Sequence, residues 1–228
     1  MGSIERASNG IQIGEAFSFV TNSPDWWKTC GKAGLFMLIP IAGAISLLGW
    51  ERKVFEAYKR GDSSIPEYEF DVGYGVSTIV AALNVFPVVI IAVIIAAIIG
   101  GIGGAVGGAI GGSVGGILSL IAALVGGAIY LLTILFSTAL APELLRRGHK
   151  GEMGPLFSPG RSIAAVKSGP GIYFMLIVGT FVAGLAGGLG VIACYFGIFV
   201  TLPMSAAVRG ALYAMWDNHV TSTLGPDA

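Results

Sequence analysis

From Gly73 to Pro142 the chain runs seventy residues without an Asp, Glu, Lys, Arg or His. Coiled as helix at 1.5 Å per residue, that is about 105 Å, several times the roughly 30 Å hydrocarbon core of a bilayer. Across the chain only 11% of residues are charged and 54% are hydrophobic, where a soluble domain carries about 25% charge. So few charges cannot cover this much apolar surface in water. The expected fold class is all-α: a polytopic helical membrane protein of about five transmembrane segments with interfacial amphipathic helices.

The expected organisation is one integral membrane domain, 1–228. Residues 1–32 form an N-terminal interfacial segment without the apolar core of a cleavable signal. Ser23, Pro24 and Asp25 carry a helix start, with Ser as N-cap and Pro at the first position. Trp26 and Trp27 then suit the aromatic belt of an interface. The apolar segments are 33–50, 74–99, 117–141, 171–187 and 190–208. The first is just long enough to cross. Pro40 at its middle allows a kinked span or a re-entrant hairpin, with the span preferred.

Segments 51–73 and 142–170 read as cytoplasmic loops, because they hold nine of the thirteen Lys and Arg residues. Two loops on one side require an even number of crossings between them. The uncharged stretch is therefore read as two spans, with the glycine-rich segment 100–116 at or near their outer turn. Each loop opens on a short helix, with Glu56–Arg60 and Glu143–Arg147 spaced as i,i+4 pairs and Gly61 and Gly148 as stops. Pro87 is expected to kink the first of the two spans. The side of the N-terminus stays open: five crossings put it outside, a re-entrant first segment inside.

In the glycine segment, Gly100, Gly104, Gly108, Gly112 and Gly116 form one i,i+4 row. Gly103, Gly107, Gly111 and Gly115 form the next. If helical, these rows make a flat stripe for close helix packing, between molecules or within one, or for lining a pore; a flexible turn is the alternative. Arg52, Lys53, Lys59, Arg60, Arg146, Arg147 and Lys150 are candidate anionic-lipid contacts. His149 and His219 are read as solvated loop residues, and Asn84 and Ser137 as helix-packing polar groups. Cys30 and Cys194 have no metal-ligand spacing.

Pro24-Asp25-Trp26, Leu38-Ile39-Pro40 and Gly49-Trp50 precede a basic helix; Gly61, Ile65-Pro66-Glu67, Phe70, Gly73 and Pro87 come after it. In this order they resemble a multipass prokaryotic membrane family catalogued as a domain of unknown function, DUF4013. The resemblance is best over residues 15 to 90 and looser over 141 to 218, where Pro203, Arg209 and Tyr213 fit the closing helix. It implies a prokaryotic cytoplasmic membrane and carries no catalytic residue.

With no acid or base inside an expected span, no catalytic, metal or cofactor residue is expected. Zero net charge gives no reason to expect a nucleic-acid partner. The expected function is that of a non-catalytic scaffold or accessory subunit, held to itself or to other membrane proteins by the glycine stripe. The alternative is a channel or carrier for an uncharged or lipid-like solute.

Overall fold

In the computed structural model, residues 10–83, 86–152, 159–190 and 197–226 are described. They are mostly helical, with no strand among them. The order is α1 (Ile13–Thr21), α2 (Trp26–Phe36), α3 (Ala42–Arg60), α4 (Val72–Leu83), α5 (Phe86–Ile110), α6 (Gly112–His149), α7 (Pro159–Ser168), α8 (Pro170–Leu189) and α9 (Ile198–Leu224). Among the described residues, three helices are long and apolar enough to cross a membrane: Gly112–Leu132 of α6, all of α8 and all of α9. The all-helical, membrane-compatible class stands, with three such helices among the described residues.

The chain divides into two compact units, residues 1–82 with 142–228 and residues 83–141. In the first, α9 is the axis on which α8, α3, α2 and α1 pack. Its middle is lined with small residues, Ser205, Ala206, Ala207, Gly210, Ala211 and Ala214, all buried. Small side chains let helix backbones approach closely, which is how helices associate where water supplies little drive. Gly210 is a contact of this kind, since a Cβ there would press on the Glu51 carbonyl. It is a packing residue inside α9. Gly34 of α2 likewise faces the Phe199 carbonyl. Pro203 lacks the N–H that would bond that oxygen within α9, so the freed carbonyl and the missing side chain meet.

Several boundaries differ from expectation. Segment 33–50 is not one helix: α2 ends at Phe36, α3 begins at Ala42, and Ile41 between them has φ +65°. Asp25, not Ser23, is the residue before α2, and its φ is +52°. The Ser23 hydroxyl instead donates to Phe19 O and accepts from Ile65 N–H. The expected loops are largely helix, since α3 runs to Arg60 and α6 continues through Pro142 to His149. Gly61 does end α3, with φ +82°. Gly148 lies inside α6, and the left-handed residue after that helix is Gly151. Pro87, where a kink is expected, lies close behind residues 84 and 85, which are outside the described residues. The last helix, α9, begins at Ile198 and runs to Leu224, sixteen residues past the expected end, and residues 191–196 of the expected segment lie outside the described residues. Asn84 and Cys194 lie outside the described residues, as does the side chain of Ser137.

In the second unit, α5 and the first part of α6 form an antiparallel hairpin that turns at Gly111 and Gly112. Their φ values of +66° and +60° suit glycine. The glycine segment is thus two helix ends and a turn.

Candidate functional site

Two features of this chain hold more than packing: a set of buried charges in the first unit and the glycine faces of the hairpin in the second.

The charges come from three helices. Glu51 on α3, Glu143, Arg146, Arg147 and His149 at the end of α6, and Asp217 on α9 are each at most 2% exposed. Arg146 lies along Glu143 in a fork-to-fork pair, Nε to Oε2 at 2.9 Å and Nη2 to Oε1 at 2.7 Å. Its Nη1 donates to Asp217. Trp216 donates its indole N–H to Glu143 at 2.6 Å. Asp217 also takes Lys59 from α3, and Lys150 stands 3.7 Å away. Arg147 pairs with Glu152 at 2.8 Å and donates to Ser162 at 3.0 Å. Planar guanidinium–carboxylate forks are the strong form of such contacts, and buried charges persist only when paired.

Beside this set lies a second one. Arg209 of α9 donates to Glu51 Oε2 at 2.9 Å. The other oxygen of Glu51 stands 3.6 Å from His149 Nε2. His149 Nδ1 is 2.6 Å from the Leu145 carbonyl, which can only accept, so Nδ1 carries the ring proton. Nε2 then presents a lone pair and has no hydrogen-bond partner. Phe55 and Tyr213 flank the ring, with centroids 5.5 and 5.3 Å away. Burial pushes the imidazole pKa down, against the opposing pull of Glu51, so the ring favours its neutral form. It opens on a cavity of about 410 Å³ lined also by Phe55, Glu56, Lys59, Arg60 and Lys150.

The basic residues therefore divide. Arg146 and Arg147, expected at a lipid surface, are buried on carboxylates. Arg52 pairs with Glu56, Lys53 with Glu69, and Arg60 with Asp62 rather than with Glu56. Lys59, Arg60 and Lys150 keep some exposure. The i,i+4 pair Glu143–Arg147 is replaced by the i,i+3 pair Glu143–Arg146. His149 is buried, and His219 lies within α9 with a buried Nε2. Sequence reasoning missed Glu51, Glu143, Arg209 and Asp217 as buried groups. The spacing Arg209 to Asp217 on one helix, matched by Glu51 to Lys59 on another, was the available signal: both are eight residues, about two turns.

The two glycine rows of the hairpin have different fates. A Cβ on Gly103 would overlap Ala122; on Gly107, Ser119 and the Gly115 carbonyl; on Gly115, the Gly107 carbonyl. Farther along, Gly126 faces the Ala96 carbonyl at 3.1 Å. This row is used up within the hairpin. Around Gly100, Gly104, Gly108 and Gly116 a Cβ would meet nothing within 4 Å, as at the turn glycines Gly111 and Gly112.

A sequence profile matches residues 33–196, well over half of the chain: Protein of unknown function (DUF4013). The chain belongs to the DUF4013 family. No curated protein and no solved structure matches it. The DUF4013 match starts inside α2 and ends before α9. It takes in Glu51, Glu143, Arg146 and His149, while their partners Arg209, Trp216 and Asp217 come from beyond it.

Proposed function

We propose that this DUF4013 protein is a non-catalytic, multipass scaffold or accessory subunit of a prokaryotic cytoplasmic membrane, associating through the open glycine row of its α5–α6 hairpin. One observation carries the reading: Gly103, Gly107 and Gly115 are consumed by packing inside the hairpin, whereas Gly100, Gly104 and Gly108 make an open row on α5, and Gly116 is open on α6, where an added Cβ would meet nothing. Each glycine inside a helix costs about 1 kcal/mol relative to alanine, and a row without an internal contact does nothing to offset it. A second helix laid along that row, from another copy or another membrane protein, would. The buried ion pairs support the non-catalytic part of the reading, because the carboxylates at the centre of the set are engaged by arginine, lysine or tryptophan of the same chain.

Native mass spectrometry of protein extracted gently from its own membrane tests this. The expected species is a defined complex, lost on replacing Gly104 and Gly108 together with Leu while the thermal melt is not lowered. A complex that survives the double change sinks the seam. Gly107→Leu, aimed into the hairpin, is the contrast and is expected to lower the melt.

A further inference from the structure

The apolar stretch 33–50 is long enough as a straight helix to reach most of the way across a bilayer, about 27 Å. Its flanking lysines say otherwise. Lys32, before the stretch, pairs with Glu67 at 3.0 Å, and Lys53, after it, pairs with Glu69 at 3.1 Å. Glu67 and Glu69 stand two residues apart on one non-helical strap, hence at most about 7 Å from each other along the chain. A continuous helix would set Lys32 and Lys53 about 30 Å apart. The strap holds both arms at further points. Phe36 of α2 stacks on Phe70 with ring centres 5.0 Å apart, and Trp50 of α3 donates its indole N–H to Pro66 O at 3.0 Å. Ser46 of α3 accepts from the Tyr68 hydroxyl and the Asp71 N–H.

Between the arms the chain reverses over residues 37–41. At this tip Leu35, Leu38, Ile39 and Ile41 are exposed, Ile41 at 78%. Exposed Trp27 and the ion pair Lys32–Glu67 bound the apolar tip on the α2 side. From Lys32 to Leu38 is six residues, about 9 Å of helix, which is the depth to which interfacial elements bury their apolar faces. Gly34 packs on the backbone of Phe199, so the tip stands beside the first turn of α9, a helix able to cross a membrane.

We infer that residues 33–50 form a re-entrant hairpin, its Leu35, Leu38, Ile39 and Ile41 tip seated among the acyl chains of one leaflet, so that residues 10–32 and 61–71 share one side of the membrane. The inference rests on the membrane reading of the chain but not on the glycine seam. It reduces the crossings by one from the expected five, which puts the N-terminal segment on the same side as the lysine- and arginine-rich segments, the cytoplasmic one by the positive-inside rule.

The test uses the full-length protein in its own membrane, with C30A and C194A to clear native thiols. Exposed positions Asn22 and Ser63 are changed singly to Cys and treated with a membrane-impermeant maleimide in intact spheroplasts and in inverted vesicles. Both are expected to react in inverted vesicles and neither in spheroplasts. Labelling from opposite sides requires a crossing between them and overturns the hairpin. In the same background a nitroxide at Leu38→Cys, in purified protein returned to phosphatidylglycerol–phosphatidylethanolamine vesicles, is expected to collide with oxygen and not with an aqueous nickel chelate. Nickel collisions place the tip in water and overturn its lipid occupant. So do spin–spin broadening and protection from both reagents, which place it against a second copy. Release of the unmodified protein by alkaline carbonate sinks the membrane reading itself, a failure distinct from these.

Discussion

Arg146 is where the buried charge of this molecule is balanced. Its guanidinium takes both oxygens of Glu143 and one of Asp217, all without exposure to solvent. Removing one partner of such a set strands the others, at a cost of about 3–5 kcal/mol, whereas an apolar replacement of a whole set is often tolerated. Arg146→Met is therefore expected to lose about that much stability in detergent, read as a lower midpoint in denaturant. A loss under about 1 kcal/mol, the level of an exposed pair, would mean that Lys59 and Lys150 on Asp217 and Trp216 on Glu143 already satisfy the two carboxylates. His149 gives a pH dependence. Glu51, Arg52 and Arg209 act on it, Phe55 and Tyr213 flank it, and burial holds its pKa below the ordinary value near 6.5. The unfolded chain therefore binds a proton that the folded one refuses, so stability rises with pH and falls as pH drops below about 6.5. Between pH 7.5 and 5.5 the melt of the native protein is expected to fall further than that of His149→Gln. Equal falls in the two proteins would assign the acid sensitivity to other groups. The sequence offered only the matched eight-residue spacings as a sign of this, because Glu51 and Arg209 are 158 residues apart, as are Lys59 and Asp217. A span cut short at Val208, on meeting Arg209, hides that α9 carries its charges inward.

At the scale of elements, the glycine segment was legible as composition and only half legible as structure. Its i,i+4 rows were plain, while helix and turn both stayed open for the glycines. Which row faces the other helix depends on where the chain reverses, and many adjacent glycines could supply the left-handed residues. Gly111 and Gly112 do so. The choice sets neighbouring glycines to opposite tasks. Gly115 lies under the Gly107 carbonyl, so a methyl group there must push two helices apart, and overpacking of this kind costs about 1–3 kcal/mol. Gly116 is helical and open, so the same methyl group only removes freedom from the unfolded chain and adds up to about 1 kcal/mol of stability. Gly115→Ala is expected to lower the melt and Gly116→Ala to raise it. Shifts of the same sign would mean that the hairpin turns elsewhere. The break after Phe36 was legible in the same partial way, since Pro40 marked it but could not say that both arms would be strapped by residues 66–71.

On the scale of the whole molecule, the uncharged stretch and the sparse charge pointed to an all-helical chain with helices long enough to cross a membrane. The hub could not be read the same way, because α9 carries charges at both Arg209 and Asp217 and so looks like the end of a span. Its burial comes from partners rather than from its own pattern: Glu51, Lys59, Arg146 and Lys150 meet its charges, and Gly34 and Gly187 meet its backbone and small side chains. The family match ends at residue 196, yet α3 and α8, which lie within it, pack on the helix beyond that end. A chain ending at Gly197 would keep Glu51 and Arg146 and lose the groups that pair with them across the core, and would leave the inner faces of α3 and α8 bare. It is expected to be degraded in the cell, or to elute as aggregate from a sizing column in detergent that keeps the full chain monodisperse. Supplying residues 197–228 as a separate co-expressed segment is expected to restore a monodisperse complex, since α9 makes its contacts through side chains and backbone that need no covalent link. A truncated chain that remains folded and monodisperse alone would show that the matched family region holds its own core, and that α9 is an addition to it.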